Sequence, residues 1–200
     1  VPNSKMLKLF DGSVRNLKLQ LHGLNKMLFD RDYDNPYIDL PGLNAVFVGI
    51  SMLDLDFIER ASLLLPSWNF HIIGPISGVP QRSNIKTYGE LKFADTIPFI
   101  KYADVGLATR SYTIGAESLG DSLKVIQYTY CRLPIIAPNF LSLNREHAFY
   151  YNPGENESIQ NALLSAQKFD RSKIRRDDVL SWDELAQQLE GEADAKTIGA

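Results

Sequence analysis

The sequence predicts an α/β domain built on an open, doubly wound, mostly parallel, Rossmann-like sheet. Short apolar runs alternate with amphipathic, helix-length segments from about residue 44 to residue 190. The runs are continuous rather than alternating, as strands buried on both faces require. Glycine, proline and small polar residues close most of them. Right-handed crossovers then place helices on both faces of the sheet.

Taken in order, Ala45 to Ile50 reads as the first strand. Asp54 or Asp56 can cap the helix that follows, where Phe57, Ile58, Ala61, Leu64 and Leu65 share a face before Pro66 ends it. Trp68 to Ile73 gives a second strand, closed by Gly74-Pro75, and Ile85 to Tyr88 a short third. A helix is expected from Asp95, with Pro98 held to its first turn because deeper in it would remove a hydrogen bond. Val105 to Ala108 is the fourth strand, followed by a polar loop from Arg110 to Asp121 and a helix from Ser122 to Arg132. Pro134 to Ala137 and Ala148 to Tyr151 read as further strands. Helices are expected around Ile159 to Ala166 and from Val179 to Leu189. Residues 1–42 lack a sustained period and read as a hinge or connector, although Leu17, Leu19 and Leu21 alternate as a strand would. The domain proper is placed at 43–191, with 192–200 as a tail.

Composition narrows the function. The 200 residues are 44% hydrophobic and 22% charged, enough to fill a core, and the longest apolar runs are far shorter than a bilayer span. A net charge of −3 argues against a non-specific nucleic-acid binder. Cys131 is the only cysteine, so an intrachain disulfide and a cysteine metal cluster are excluded, and its neighbours mark it as a packed thiol. The chain opens Val1-Pro2-Asn3-Ser4 without a basic, apolar leader and is expected to be a piece of a longer protein.

Ligands of such sheets bind beyond the carboxyl ends of the strands, at the point where strand order reverses. The loop after the first strand, Gly49-Ile50-Ser51-Met52-Leu53-Asp54, is neither a dinucleotide fingerprint nor a P-loop. Met52 is open to two readings, packed or facing a ligand. A helix beginning at Asp121 or Ser122 turns free N–H groups toward the ligand side, a ready place for a diphosphate. Lys124 in its first turn is mildly disfavoured by the helix dipole unless an anion sits beside it; otherwise it is a solvated lysine after an ordinary cap. Gly89-Glu90 after the third strand offers a tight turn and a carboxylate for ribose hydroxyls, or a plain exposed turn. Arg110, Ser111 and Tyr112 offer a cation and hydroxyls for an anionic sugar, or a surface arginine. His22, His71 and His147 are far apart, the Asp-x-Asp triplets fit a loop and a helix cap, and no metal is expected. No G-x-S-x-G elbow is present.

Together, Phe47-Val48-Gly49-Ile50-Ser51-Met52-Leu53-Asp54, Phe70-His71-Ile72-Ile73-Gly74, Tyr88-Gly89-Glu90-Leu91-Lys92, Ile100 to Ala108 and Asp121 to Tyr128 follow in an order and at a spacing that resembles a known family. It is the C-terminal domain of the xanthan-assembly glucuronosyltransferases, which are two-domain (GT-B) glycosyltransferases. The likeness runs from about residue 44 to residue 185. It implies an inverting, metal-independent bacterial enzyme of exopolysaccharide biosynthesis. The donor implied is UDP-glucuronate, with no cofactor. The acceptor is a lipid-linked oligosaccharide at the inner face of the inner membrane, where the cytoplasmic enzyme is peripheral.

By position the resemblance makes Met52 and Glu90 contacts to UDP, sets Ser122, Leu123 and Lys124 at the diphosphate, and puts Gln127 one turn further on. Arg110 stands where one member of the family carries a tyrosine, Leu123 replaces its methionine, and the loop before Ser122 is one residue shorter. Leu21 to Asn25 resembles the stretch where such chains leave the N-terminal domain, which supplies the general base. These residues alone are therefore expected to bind donor without catalysis. Two rivals remain: a GT-B transferase using another nucleotide sugar, and a non-enzymatic flavodoxin-like interaction domain. A retaining transferase shows two glutamates around the helix start, where this chain has only Glu117. A receiver domain needs an acidic cluster that is absent after the first and third strands.

Overall fold

The computed structural model describes residues 4–13, 17–50, 52–120 and 122–197. Six strands form one parallel sheet: β1 (Asn44–Val48), β2 (Asn69–Ile73), β3 (Ile85–Thr87), β4 (Val105–Leu107), β5 (Ile135–Pro138) and β6 (Ala148–Tyr151). Their order is β3-β2-β1-β4-β5-β6, all parallel. The chain winds outward from β1 to one edge, then returns to β4 and winds to the other. The order therefore reverses between β1 and β4, and the crevice above those two strands is where the fold puts a ligand.

The continuous apolar runs have a plain cause. In β1, Ala45 and Phe47 face one core layer with Phe57, Ile58 and Ala61 of α3 (Leu55–Leu64) and Ile159, Ala162 and Leu163 of α6 (Asn156–Lys168). Val46 faces the other layer, with Ile97 and Ile100 of α4 (Phe93–Tyr102) and Val125, Ile126 and Tyr128 of α5 (Leu123–Tyr130). With helices on both sides, neither face tolerates polar side chains that lack a partner. Asn44 and His71, both buried, satisfy each other: His71 Nε2 and Asn44 Oδ1 are 3.0 Å apart, and His71 Nδ1 lies 2.8 Å from the Tyr88 hydroxyl. Burial pulls the His71 pKa down to about 4, so the ring is neutral and serves as a structural link.

Asp54, not Asp56, caps α3: its carboxylate accepts the Phe57 N–H at 3.0 Å and the Tyr151 hydroxyl at 2.8 Å. The cap thus ties the loop after β1 to the far strand β6. The helix expected from Asp95 begins two residues earlier, at Phe93, and this moves Pro98 out of the first turn. The proline leaves the Ala94 carbonyl without its intrahelical donor, and Ala94 is exposed. Burying Ile97 and Ile100 along the same stripe holds the extra turn in place.

The alternating leucines before residue 24 form no strand among the described residues; Leu24 makes a single parallel bridge to Ser181. The sheet's edge strands are β3 and β6, and among the described residues neither pairs with Leu17 to Leu21. The segment that follows packs firmly all the same. Asn25 caps the short α2 (Lys26–Asp30), Phe29 and Tyr37 enter the second core layer, and the Tyr37 hydroxyl donates to the Phe99 carbonyl at 2.9 Å. A one-turn helix, α1 (Ser4–Leu9), precedes it. At the other end α7 (Trp182–Thr197) continues past residue 191.

Candidate functional site

Tyr128 of α5 fixes the switch point from below. Its hydroxyl donates toward the Val46 carbonyl at 3.1 Å and accepts from the Val48 N–H at 3.3 Å, with the Leu107 carbonyl of β4 at 3.4 Å. One phenol thus occupies the place where β1 and β4 stop pairing. Gly106 makes room for its ring, since a Cβ there stands 2.5 Å from it.

Above this anchor the loops after β1 and β4 are bonded to each other. The Ser111 N–H donates to the Met52 carbonyl at 3.0 Å, the Ser111 hydroxyl to the Leu53 carbonyl at 3.3 Å, and Arg110 Nη1 to the Met52 sulfur at 3.4 Å. Met52 holds a left-handed backbone, φ 62°, which a side-chain-bearing residue adopts only when its surroundings impose it. Such strain is concentrated at functional loops.

Ser122 is the residue before α5, and its carbonyl accepts the Val125 and Ile126 N–H groups at 3.0 and 3.3 Å. Its side chain makes no cap bond, and the Leu123 and Lys124 N–H groups of the first turn have no acceptor among the described residues. Lys124 rises from that turn. Its Nζ lies 3.9 Å from the centre of the Phe47 ring, about 3.0 Å from where a Cβ on Gly49 would stand. Phe47 faces the opposite core layer from α5, so the lysine crosses the gap between β1 and β4. Arg110, Ser122 and Lys124 line one small enclosed gap with Ala108 and Val125. Burial, reinforced by the Arg110 charge, pulls the Lys124 pKa down to about 7. Among the described residues neither cation is in a salt bridge.

The structure therefore brings Met52, Arg110, Ser122 and Lys124 together. Glu90 stands apart, exposed, after the turn at Gly89, φ 65°. It is held near the crevice through the Gly89 carbonyl, which accepts the Gly74 N–H at 2.7 Å beside Gly49. A groove of about 410 Å³ opens there, lined by residues including Gly74, Ile76, Gln81, Thr87 and Gly89. Leu123 is exposed at the helix start and Gln127 is buried one turn below. Ser51 and Asp121 lie outside the described residues. Sequence reading missed Thr109, which is 1% exposed with a hydroxyl that has no partner among the described residues, because a threonine just after a strand looks unremarkable. It also missed Gly74 and Tyr151, whose partners come from distant elements.

Chemically the arrangement suits an anion, with helix N–H groups and two cations that are in no salt bridge among the described residues. A consequence follows for pH. An anion binds the protonated form of Lys124, whose free-state pKa is about 7. Affinity is flat below that value and weakens as pH rises through it. Binding of a nucleotide sugar, whose diphosphate does not titrate in this range, is expected to weaken on the order of tenfold from pH 6.5 to pH 8.5. Calorimetry across that range checks this, and a pH-independent affinity would contradict it.

Among the described residues no three His, Cys, Asp or Glu side chains gather to hold a metal ion, and no helix is long and apolar enough to cross a membrane. No protein-family model matches the chain. A UDP-glucuronate:glycolipid 2-beta-glucuronosyltransferase of Xanthomonas campestris pv. campestris is 32% identical over 173 residues. The match covers 84% of this chain but 42% of that relative, so the chain spans less than half its length. In fold, sucrose-phosphate synthase from Thermosynechococcus elongatus superposes with a TM-score of 0.71 at 15% identity, covering 100% of this chain and 58% of that one. Anabaena HepE, solved in complex with UDP and glucose, gives a TM-score of 0.71 at 13% identity, covering 97% and 62%. The chain thus carries the Rossmann-like fold found in GT-B glycosyltransferases, and over most of its length it is similar in sequence to a UDP-glucuronate glycolipid glucuronosyltransferase.

Proposed function

We propose that this chain binds the nucleotide-sugar donor of a glycosyltransferase, with UDP-glucuronate as the donor. The observation that carries the reading is the proximity of Lys124 and Arg110, two cations without a carboxylate partner among the described residues, at the start of α5 and above the switch point. The similarity to a UDP-glucuronate-using relative supports the choice of donor.

In this reading the diphosphate lies on the α5 N-terminus. The first-turn N–H groups and Lys124 stabilise charge as the bond from the anomeric carbon to the UDP oxygen breaks. Met52 and Glu90 contact the nucleoside, and Ser122, Leu123 and Gln127 complete the diphosphate and sugar contacts. An acceptor hydroxyl attacks the anomeric carbon from the opposite face, inverting it, and its proton passes to a general base supplied outside these residues. Lys124 and the helix N–H groups take the place of a metal ion at the diphosphate. The acceptor is a lipid-linked exopolysaccharide intermediate, reached peripherally at the inner face of the bacterial inner membrane.

Calorimetric titration with UDP and UDP-glucuronate, each with and without EDTA, tests this. The expected result is saturable binding of both, unchanged by the chelator. Loss of binding in EDTA overturns the metal-independent mechanism, and no binding of either nucleotide overturns the donor reading.

A further inference from the structure

We propose that Arg110 is the residue that selects an anionic donor sugar, by receiving its carboxylate. The inference rests on the donor reading above and names a role within that same site.

Arg110 leaves the end of β4, on the other side of the crevice from the start of α5. The diphosphate already has its receiver in the α5 N–H groups and Lys124. Arg110 is a second, separate cation, half-buried, and desolvation lowers its pKa. A guanidinium removed from water without a carboxylate partner is costly. Here its one side-chain hydrogen bond among the described residues goes to the Met52 sulfur, a weak and uncharged acceptor. The rest of its planar fork makes no hydrogen bond among the described residues, and it lies beside Lys124 and Ser122. A carboxylate matches that fork with two parallel hydrogen bonds, whereas a neutral hydroxymethyl group offers no charge to it. The arginine therefore stands where a sugar attached to the diphosphate extends across the crevice, and it rewards a uronate over the corresponding hexose. Met52, in a left-handed backbone, holds one end of the guanidinium through its sulfur.

The test compares affinities for UDP, UDP-glucose and UDP-glucuronate in the wild type, Arg110→Met and Arg110→Lys. The wild type is expected to prefer UDP-glucuronate over UDP-glucose by about tenfold or more, the scale of a charge-assisted hydrogen bond. Arg110→Met is expected to erase that preference, weakening UDP-glucuronate roughly 30-fold while UDP and UDP-glucose stay within about threefold. Arg110→Lys keeps the charge without the fork and recovers only part of the preference. Retained UDP binding in the variants reports an intact fold. Equal weakening of all three ligands makes Arg110 a diphosphate ligand and overturns the proposal. So does an unchanged preference in Arg110→Met, or a wild type that binds UDP and both sugars alike. A wild type that binds none of the three overturns the donor reading itself.

Discussion

Replacing Gly74 with alanine is expected to destabilise the protein by about 3–5 kcal/mol, among the largest effects of any single methyl group in the molecule. Two causes add. Gly74 has φ 136°, a conformation that residues with a side chain rarely adopt. A Cβ built there falls 1.7 Å from the Gly49 carbonyl oxygen, and that obstacle is backbone, which cannot rotate away. The Gly49 N–H bonds the Ile73 carbonyl at 3.0 Å and the Gly74 N–H bonds the Gly89 carbonyl at 2.7 Å, so relieving the clash separates the ends of three adjacent strands. Thermal unfolding is expected to fall by on the order of 10 °C for a chain of this size. Gly154→Ala is the control: its φ is 83°, but a Cβ there meets nothing within 4 Å. That variant carries the backbone strain alone, about 1 kcal/mol. If the two substitutions cost the same, the contact with Gly49 is not what constrains Gly74.

Lys124→Met is expected to move stability and binding in opposite directions. The variant keeps a long apolar side chain over Phe47 but loses the charge that the diphosphate meets. UDP affinity is expected to fall by about 1.5–3 kcal/mol, tenfold or more. Stability without ligand is expected to rise by about 1 kcal/mol near neutral pH. The sign comes from the direction of the pKa shift. Unfolded lysine titrates near 10.5, whereas the folded group is lowered to about 7 by burial and by Arg110. Between those values the unfolded chain binds the extra proton, so the folded state loses stability as pH falls from 10.5 toward 7, and the full penalty applies below 7. Methionine removes that penalty, and loss of the cation–π contact with Phe47 offsets part of the gain. The stability gap between variant and wild type therefore closes as pH approaches 10.5. Denaturant unfolding at pH 7 and pH 10, beside a UDP titration, checks both halves. A variant that binds UDP as the wild type does removes Lys124 from the site. One that is less stable at pH 7 shows that the cation–π contact outweighs desolvation. This opposition is what a site residue predicts, because a buried cation kept against its own stability cost has its partner in the ligand.

Much of the architecture was legible in the residues. A strand buried on both faces must be apolar throughout, so Ala45 to Val48 and Phe70 to Ile73 declared a parallel sheet without any knowledge of their neighbours. Asp54 could be read as a cap because capping is local, reaching only to the N–H three residues on. The start of α5 was legible to within a residue or two, with Ser122 just before it, although the Ser122 side chain makes no cap bond. Local rules failed where a distant packing requirement overrode them. Pro98 argued for a late helix start, but Ile97 and Ile100 had a sheet to cover and α4 began at Phe93. Leu17, Leu19 and Leu21 alternated, but a strand forms only where it pairs with another, and this segment joins no ladder among the described residues.

The sequence by itself determined the fold class, the order of the elements and the loops in which a ligand site could lie. Period, capping and turn chemistry are written into neighbouring residues. Only the tertiary structure decided that Lys124 spans the crevice to Phe47, that Arg110 shares its enclosed gap with Lys124 while bonding Met52, and that Gly74 must be glycine because Gly49 stands against it. Those facts depend on which strands become neighbours. Burial, which pulls Lys124 toward a pKa of about 7, is a property of the space between elements and of no single one of them.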